Sequence, residues 1–246
     1  MTKEPGSGEG SGSHVVRTRL LTADDVDEAG QLLAAAFDEE PQSMVFLPDP
    51  THRRELSLVT ARREVRSRLR YATAFGADLD GRLAGVALWN PPNVHPSPLS
   101  GRLRWALELL AVRAAVMPAL PPAARALWRE RRPLSRTLWV RQRHVRTVGA
   151  QPCWYLAVLG TAPDARGRGV ARALLDHVLE RCDVDGLPAW LETTEAANTH
   201  IYERFGFHST VRIPGGGGLP DFWMMRRNPT STTSVPAPEP FGPSPD

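Results

Sequence analysis

The run Ala165-Arg166-Gly167-Arg168-Gly169-Val170-Ala171 leads from the apolar stretch Trp154–Gly160 into a helical repeat of Val170, Leu174, Leu175 and Val178. The two glycines let backbone N–H groups approach a ligand with no Cβ in the way. A helix opening on such a turn aims unpaired N–H groups and the positive end of its dipole at an anion. Arg166 and Arg168 add side chains that grip a phosphate with two donors at once. A Walker loop would need GxxxxGK[ST], and this turn ends in neither Lys nor Ser/Thr. A dinucleotide fingerprint would need GxGxxG in a βαβ unit at the start of the fold. Among common cofactors this leaves the diphosphate of coenzyme A, and a purely structural loop stays open as the other reading of the turn.

Other reactive side chains are sparse. Cys153 and Cys182 are too few for a disulfide scaffold, and no CxxC, HExxH or His-rich cluster offers metal ligands. Cys153 has no His nearby in sequence to activate it, which argues against an acyl-cysteine route. Asp38, Glu39 and Glu40 follow an apolar helix and stop near Pro41, where they either attract an amine or remain ordinary solvated acids.

The elements that must hold these groups can be read from patterning. The chain has 246 residues and a mass of 27.1 kDa, enough for one core of about 200 residues without staples. Residues 1–14 are Gly/Ser-rich and 228–246 Pro/Ser/Thr-rich, so both are expected to be disordered, leaving a single folded domain over 15–227. Within it, Val15–Leu20 reads as a strand. Thr22-Ala23-Asp24-Asp25 resembles a capping box before a helix with Val26, Ala29, Leu32, Leu33, Ala36 and Phe37 on one face. A second helix is expected from His52 to Tyr71. The strands Ala72–Asp78 and Leu83–Trp89 follow as a hairpin about Asp80-Gly81. After the glycine turn come a helix to about Arg181, a strand Pro188–Thr193, a short helix Thr199–Arg204 and a strand Phe222–Arg226. The order predicts a mixed α/β sheet with helices on both faces.

Between these halves, residues 99–148 read as an Arg-rich helical insert, with eleven Arg against Glu108 and Glu130. Such a stripe could face nucleic acid. However, the net charge is only +3, and every basic residue except Lys3 is Arg, which reads as coding bias and a solvated face. No signal peptide or long apolar span is visible, so a cytoplasmic protein without membrane attachment is expected.

Arg166-Gly167-Arg168-Gly169-Val170-Ala171 resembles the R/Q-x-x-G-x-G/A acetyl-CoA signature of the GNAT superfamily of N-acetyltransferases, and the order of elements over 15–227 is similar. Within that superfamily the chain is most similar to the puromycin N-acetyltransferases and their actinobacterial relatives. This likeness rests on Leu33-Ala34-Ala35-Ala36-Phe37 with Pro41, Trp154-Tyr155-Leu156 with Gly160 and Pro163-Asp164, Leu191-Glu192-Thr193, Tyr202-Glu203-Arg204 with Gly206-Phe207, and Trp223 with Met225. Residues 99–148 and the tails match less well.

The resemblance implies a GNAT-like, mostly antiparallel sheet with a V-shaped cleft, acetyl-CoA as donor, and direct transfer to a primary amine. The small molecule could be an antibiotic, acetylated for self-resistance or detoxification. It implies that Leu159, Gly160 and Thr161 pair with the pantetheine arm and that Arg166, Gly167, Arg168, Gly169, Val170 and Ala171 hold the diphosphate. Tyr202 is then the general acid, unless it merely packs with Phe205 and Phe207. Glu192 is the base or a cation binder, unless it only supports its neighbours. Asn198 reaches the cofactor or caps its helix. Phe37, Glu40, Trp223 and Trp154 border the acceptor, or else the aromatics fill the core. Alternatives are a protein N-alpha or ribosomal-protein acetyltransferase, and a non-catalytic CoA-sensing or nucleic-acid-binding protein. Oligomeric state is left open, a homodimer among the options.

Overall fold

The computed structural model describes residues 15–40, 43–44, 49–92, 140, 143–144, 151–216 and 220–230. The N-terminal segment 1–14, most of the tail 228–246, nearly all of the expected insert at 99–148 and part of the Gly215–Gly218 run lie outside them.

The described strands are β1 (Val16–Leu20), β2 (Ala74–Leu79), β3 (Arg82–Asn90), β4 (Trp154–Thr161), β5 (Ala189–Thr193), β6 (His208–Ile213) and β7 (Phe222–Arg227). The helices are α1 (Val26–Ala36), α2 (Pro50–Leu69), α3 (Val170–Asp185) and α4 (Ala196–Glu203). All seven strands join one sheet in the order β1-β2-β3-β4-β5-β7-β6, and every neighbouring pair is antiparallel except β4–β5. The β2–β3 hairpin turns on Asp80 (φ 53°) and Gly81 (φ 82°). Two successive positive φ angles match the right-handed twist of the flanking strands.

Each sheet face carries its own core. On one face α3 buries Val170, Leu174, Leu175, Val178 and Leu179 against Phe75, Ala87, Trp154, Leu156, Leu191 and Met225. On the other, α1 and α2 cover Ala74, Val86 and Leu88 with Val26, Ala29, Leu33, Ala61 and Val65. Helix α3 stops at Gly186 (φ 66°), where Leu187 N–H donates to Cys182 O (2.9 Å) and Gly186 N–H to Asp183 O (3.3 Å), satisfying carbonyls the helix leaves open.

Close approach of both layers rests on two glycines. A Cβ on Gly85 would stand 2.4 Å from Val170 Cγ1 of α3, and one on Gly160 would stand 2.7 Å from Leu33 Cδ2 of α1. An interior this dense has no room for either added carbon without displacement. Farther along, the guanidinium of Arg227 holds the α3 terminus by two bonds to Asp183 (2.6 and 2.7 Å) and donates from Nε to Phe205 O (3.1 Å).

Three sequence expectations change. The capping box before α1 half-forms: Thr22 N–H and Oγ1 both donate to Asp25 Oδ2 (2.7 and 2.9 Å), so the hydroxyl spends its proton on that carboxylate. Arg19 also binds both oxygens of Asp25, holding its carboxyl down to about 2. Helix α4 begins at Ala196 rather than Thr199, with Glu195 as its cap, so Asn198 lies inside the helix and is not its N-cap. The segment 208–213, to which the sequence assigns no element, is the edge strand β6.

Candidate functional site

Strands β4 and β5 pair over three positions only, Trp154↔Ala189, Tyr155↔Trp190 and Leu156↔Leu191. Beyond Leu156, β4 runs on to Thr161 paired solely with β3, while Glu192 and Thr193 pair solely with β7. The two strands therefore part at the middle of the sheet, leaving an edge of β4 that is unpaired among the described residues. Ala162 N–H donates to Ala84 O of the β3 side (2.9 Å). Since successive residues of a strand alternate, Gly160 also turns its polar groups toward β3, and Leu159 and Thr161 turn theirs to the open edge. Gly160 serves instead as the floor on which Leu33, Ala36 and Phe37 of α1 and its C-cap rest.

That edge leads directly into the glycine turn. Gly167 (φ 75°) and Gly169 (φ 83°) take left-handed conformations, and a Cβ on either would meet nothing within 4 Å among the described residues. Ala173 N–H bonds back to Gly169 O (3.0 Å), the first closure of α3, so the N–H groups of Val170, Ala171 and Arg172 precede it and face out of the helix end. The Val170 side chain is buried over Gly85, which fixes this end to the sheet. The arginines expected to grip a phosphate already have partners within the protein. Arg166 reaches Ala36 O at the end of α1 (3.5 Å), and Arg168 donates to Asp80 of the hairpin turn (3.3 Å). Arg82 pairs with Asp164 and holds its carboxyl below the usual range. The β3–β4 ladder brings the hairpin turn to this place, and side-chain bonds across 82 and 88 positions fasten it there, so the position of Asp80 and Arg82 beside the glycine turn had no local signal.

Tyr202 is half-buried on α4 and packs against the core on the α3 face, its ring edge-on to Phe207 at 6.1 Å. Burial pushes its phenol up to about 12, so it keeps its proton through neutral pH. Glu192 is half-buried and alternates with Leu191, which faces α3, so its carboxylate takes the opposite face, that of α1. The candidate acid and base thus flank the β4–β5 opening from the two sides of the sheet. Asn198 is half-buried on α4, its N–H bonded to Glu195 O (3.1 Å). Cys153 and Cys182 are buried, and burial raises their thiols to about 11 and about 12, far from a thiolate at neutral pH.

The expected acceptor wall does not assemble as one surface. Phe37 and Glu40 follow α1 on the Glu192 face. Trp223 registers with Thr193 and Arg212, which places it on the α3 face, beneath the Arg212 guanidinium at 5.6 Å. Trp154 is buried and meets Trp89 edge-on at 6.4 Å in the core of the α3 face, at the end of β4 away from the opening. Glu40 has partners the sequence did not indicate: Thr194 Oγ1 donates to Oε1 (2.9 Å) and Ser43 Oγ to Oε2 (3.1 Å). Asp38 is taken up by Arg53 and Arg54 of α2. A cavity of about 460 Å³ opens among Thr73, Phe75, Pro92, Trp154 and Arg181, at the end of β4 remote from the glycine turn. Among the described residues no cluster suits a metal ion, and no helix is long and apolar enough to cross a membrane.

A seven-stranded, mostly antiparallel sheet that opens between its one parallel pair, next to a glycine turn at a helix start, is the GNAT acetyltransferase fold. Residues 127–207 match the sequence model of the acetyltransferase (GNAT) family. The chain is similar to a Corynebacterium glutamicum protein described as histone acetyltransferase HPA2 and related acetyltransferase (TM-score 0.56, 22% identity, 90% of this chain and 99% of that one). It is also similar to the Drosophila melanogaster polyamine N-acetyltransferase (TM-score 0.54, 17% identity, 87% of this chain and 100% of that one). A curated relative, an uncharacterised N-acetyltransferase of Schizosaccharomyces pombe, is 41% identical over 54 residues, 22% of either chain. The match thus spans about a fifth of that relative's length.

Proposed function

We propose that this protein is an acetyl-CoA-dependent N-acetyltransferase that transfers acetyl directly to the primary amine of a small molecule. The observation that carries this reading is the continuity of the open β4 edge with the α3 start. Leu159 and Thr161 offer backbone groups to an amide-bearing arm. Gly167, Gly169, Val170 and Ala171 offer uncrowded N–H groups to a diphosphate at the far end of that arm. A pantetheine diphosphate has these two chemistries in this order.

The chemistry then follows from the two faces. An amine entering on the α1 face would lose its proton to Glu192 and attack the thioester carbonyl held in the opening between β4 and β5. As the C–S bond breaks, Tyr202 would give its proton to the departing sulfur from the α3 face. The nitrogen then sheds its second proton, the Tyr202 phenolate regains one and Glu192 returns one to solvent, so atoms balance without a covalent enzyme intermediate, and both cysteines stay outside the reaction. Arg166 is free to turn from a carbonyl toward phosphate, while Arg168 would have to leave Asp80 to do so. Asn198 borders the donor from α4.

The small-molecule class, including antibiotics such as puromycin, and a role in self-resistance or detoxification rest on the resemblance of the residue runs quoted above. A cytoplasmic enzyme acting as one domain over 15–227 completes the reading. The test has two parts: calorimetric titration with acetyl-CoA, then thiol release in the presence of puromycin, agmatine, tyramine or an alanyl peptide. Micromolar binding with release from one of the first three supports the proposal. No binding of acetyl-CoA overturns it, and turnover of the peptide alone replaces the acceptor class.

A further inference from the structure

Glu40 and Thr194 lie 154 positions apart in sequence and meet at 2.9 Å. Their bond has an unusual placement. Glu40 belongs to the segment that leaves α1, and α1 rests on β4 through Gly160; Thr194 is the first residue beyond β5. The hydrogen bond therefore joins the two strands' surroundings across the side on which β4 and β5 have already parted. Glu40 is held from several directions, since Ser43 Oγ donates to its second oxygen, its N–H donates to Phe37 O (3.2 Å) and its carbonyl accepts from Met44 N–H (3.1 Å).

Resting on the proposed function, we infer that Thr194 is a positioning residue that fixes the Glu40 carboxylate over the acceptor side of the opening, where it receives the cationic amine. Each carboxylate oxygen uses one lone pair on a hydroxyl and keeps another for an ammonium N–H. A carboxylate at the end of a helix would otherwise sample several rotamers, and ordering it in advance removes that cost from acceptor binding. Thr194 lies two residues beyond Glu192, so the residue that places the acceptor and the residue that takes its proton are set by the same stretch of chain. Donor binding uses the other end of the site and should not sense this bond.

Three variants separate the bond from the charge. Thr194→Val removes the donor, Thr194→Ser keeps it, and Glu40→Gln keeps an oxygen for Thr194 while removing the charge. Hydrogen exchange of the Glu40 and Met44 amides is read without turnover: about tenfold faster exchange in Thr194→Val, with Thr194→Ser and Glu40→Gln near wild type, is expected. Kinetics use whichever of puromycin, agmatine, tyramine or alanyl peptide the wild type acetylates fastest. Thr194→Val and Glu40→Gln should raise its KM about five- to tenfold, with kcat and the acetyl-CoA KM within twofold, and Thr194→Ser should restore it. Unchanged exchange in Thr194→Val, or an equal loss in acetyl-CoA affinity, overturns the inference. A wild type that fails to bind acetyl-CoA overturns the proposed function instead, and the acceptor role of Thr194 with it, whatever the exchange shows.

Discussion

Gly85 and Gly160 stand one register step apart on neighbouring strands and turn their bare α-carbons to opposite faces of the sheet, one beneath Val170 and the other beneath Leu33. Added methyl groups should have unequal effects. Gly85→Ala places a carbon 2.4 Å from Val170 Cγ1 and 3.0 Å from Leu174 Cδ1, with little freedom to yield. It should cost about 1–3 kcal/mol in denaturant unfolding and weaken acetyl-CoA binding by displacing the first turn of α3. Gly160→Ala meets the mobile end of Leu33 and should cost less, about 1 kcal/mol, with the change falling on α1.

Gly169→Glu tests the clamp by charge. Its φ of 83° strains any L side chain, and the space around it is open, so the carboxylate would stand where an anion should bind. Acetyl-CoA affinity should fall at least about tenfold by calorimetry. Gly169→Ala carries the conformational strain alone, about 1–2 kcal/mol of stability, and separates it from the charge effect. Unchanged affinity in the Glu variant would remove the diphosphate from this turn.

Tyr202→Phe keeps the ring against Phe207 and removes the phenolic proton. Turnover should fall by about a hundredfold while acetyl-CoA affinity stays within about threefold. The wild-type phenol, pushed up to about 12, should also leave kcat without an alkaline fall below about pH 10. A rate unaltered by the substitution at saturating substrates would eliminate the phenol as the acid.

Asp183→Asn addresses acid stability. The Arg227 guanidinium and the Thr230 N–H hold the Asp183 carboxyl down to about 2, below the 3.9 or so of an unfolded chain. A depressed carboxyl contributes stability that is whole above the unfolded value and is lost as pH falls from about 4 toward 2. The variant should lose about 2 kcal/mol at pH 7 and show a shallower decline between those pH values. Parallel stability–pH curves for the two proteins would contradict the assignment.

Local chemistry explains what could be read in advance. The run from Trp154 through Val170 announces strand, turn and helix because apolar residues, paired glycines and a four-residue repeat each act over a few positions. Strand β6 was hidden because HSTVRI, an edge strand mostly in solvent, carries only two apolar residues, Val211 and Ile213. The α4 start was hidden because Glu195 is its cap, steadied by its N–H to Thr193 Oγ1 (3.3 Å), a bond no local preference announces. The face occupied by Trp223 depends on how β7 registers against β5, and the partners of Glu40 and Arg168 come from distant segments. Alternation along a strand tells which residues share a face, but only pairing tells which face.

The three-position junction of β4 with β5 leaves the sheet as two leaves sewn by a short seam. A ligand lying along the unpaired stretch would supply the absent rungs of the ladder, so on the proposed function the donor would be part of the fabric as well as a reactant. Binding to the folded chain alone raises its stability with the logarithm of ligand concentration. Protein that has spent its donor would then melt at a lower temperature than protein still loaded, and its lifetime would follow the supply of the molecule it consumes.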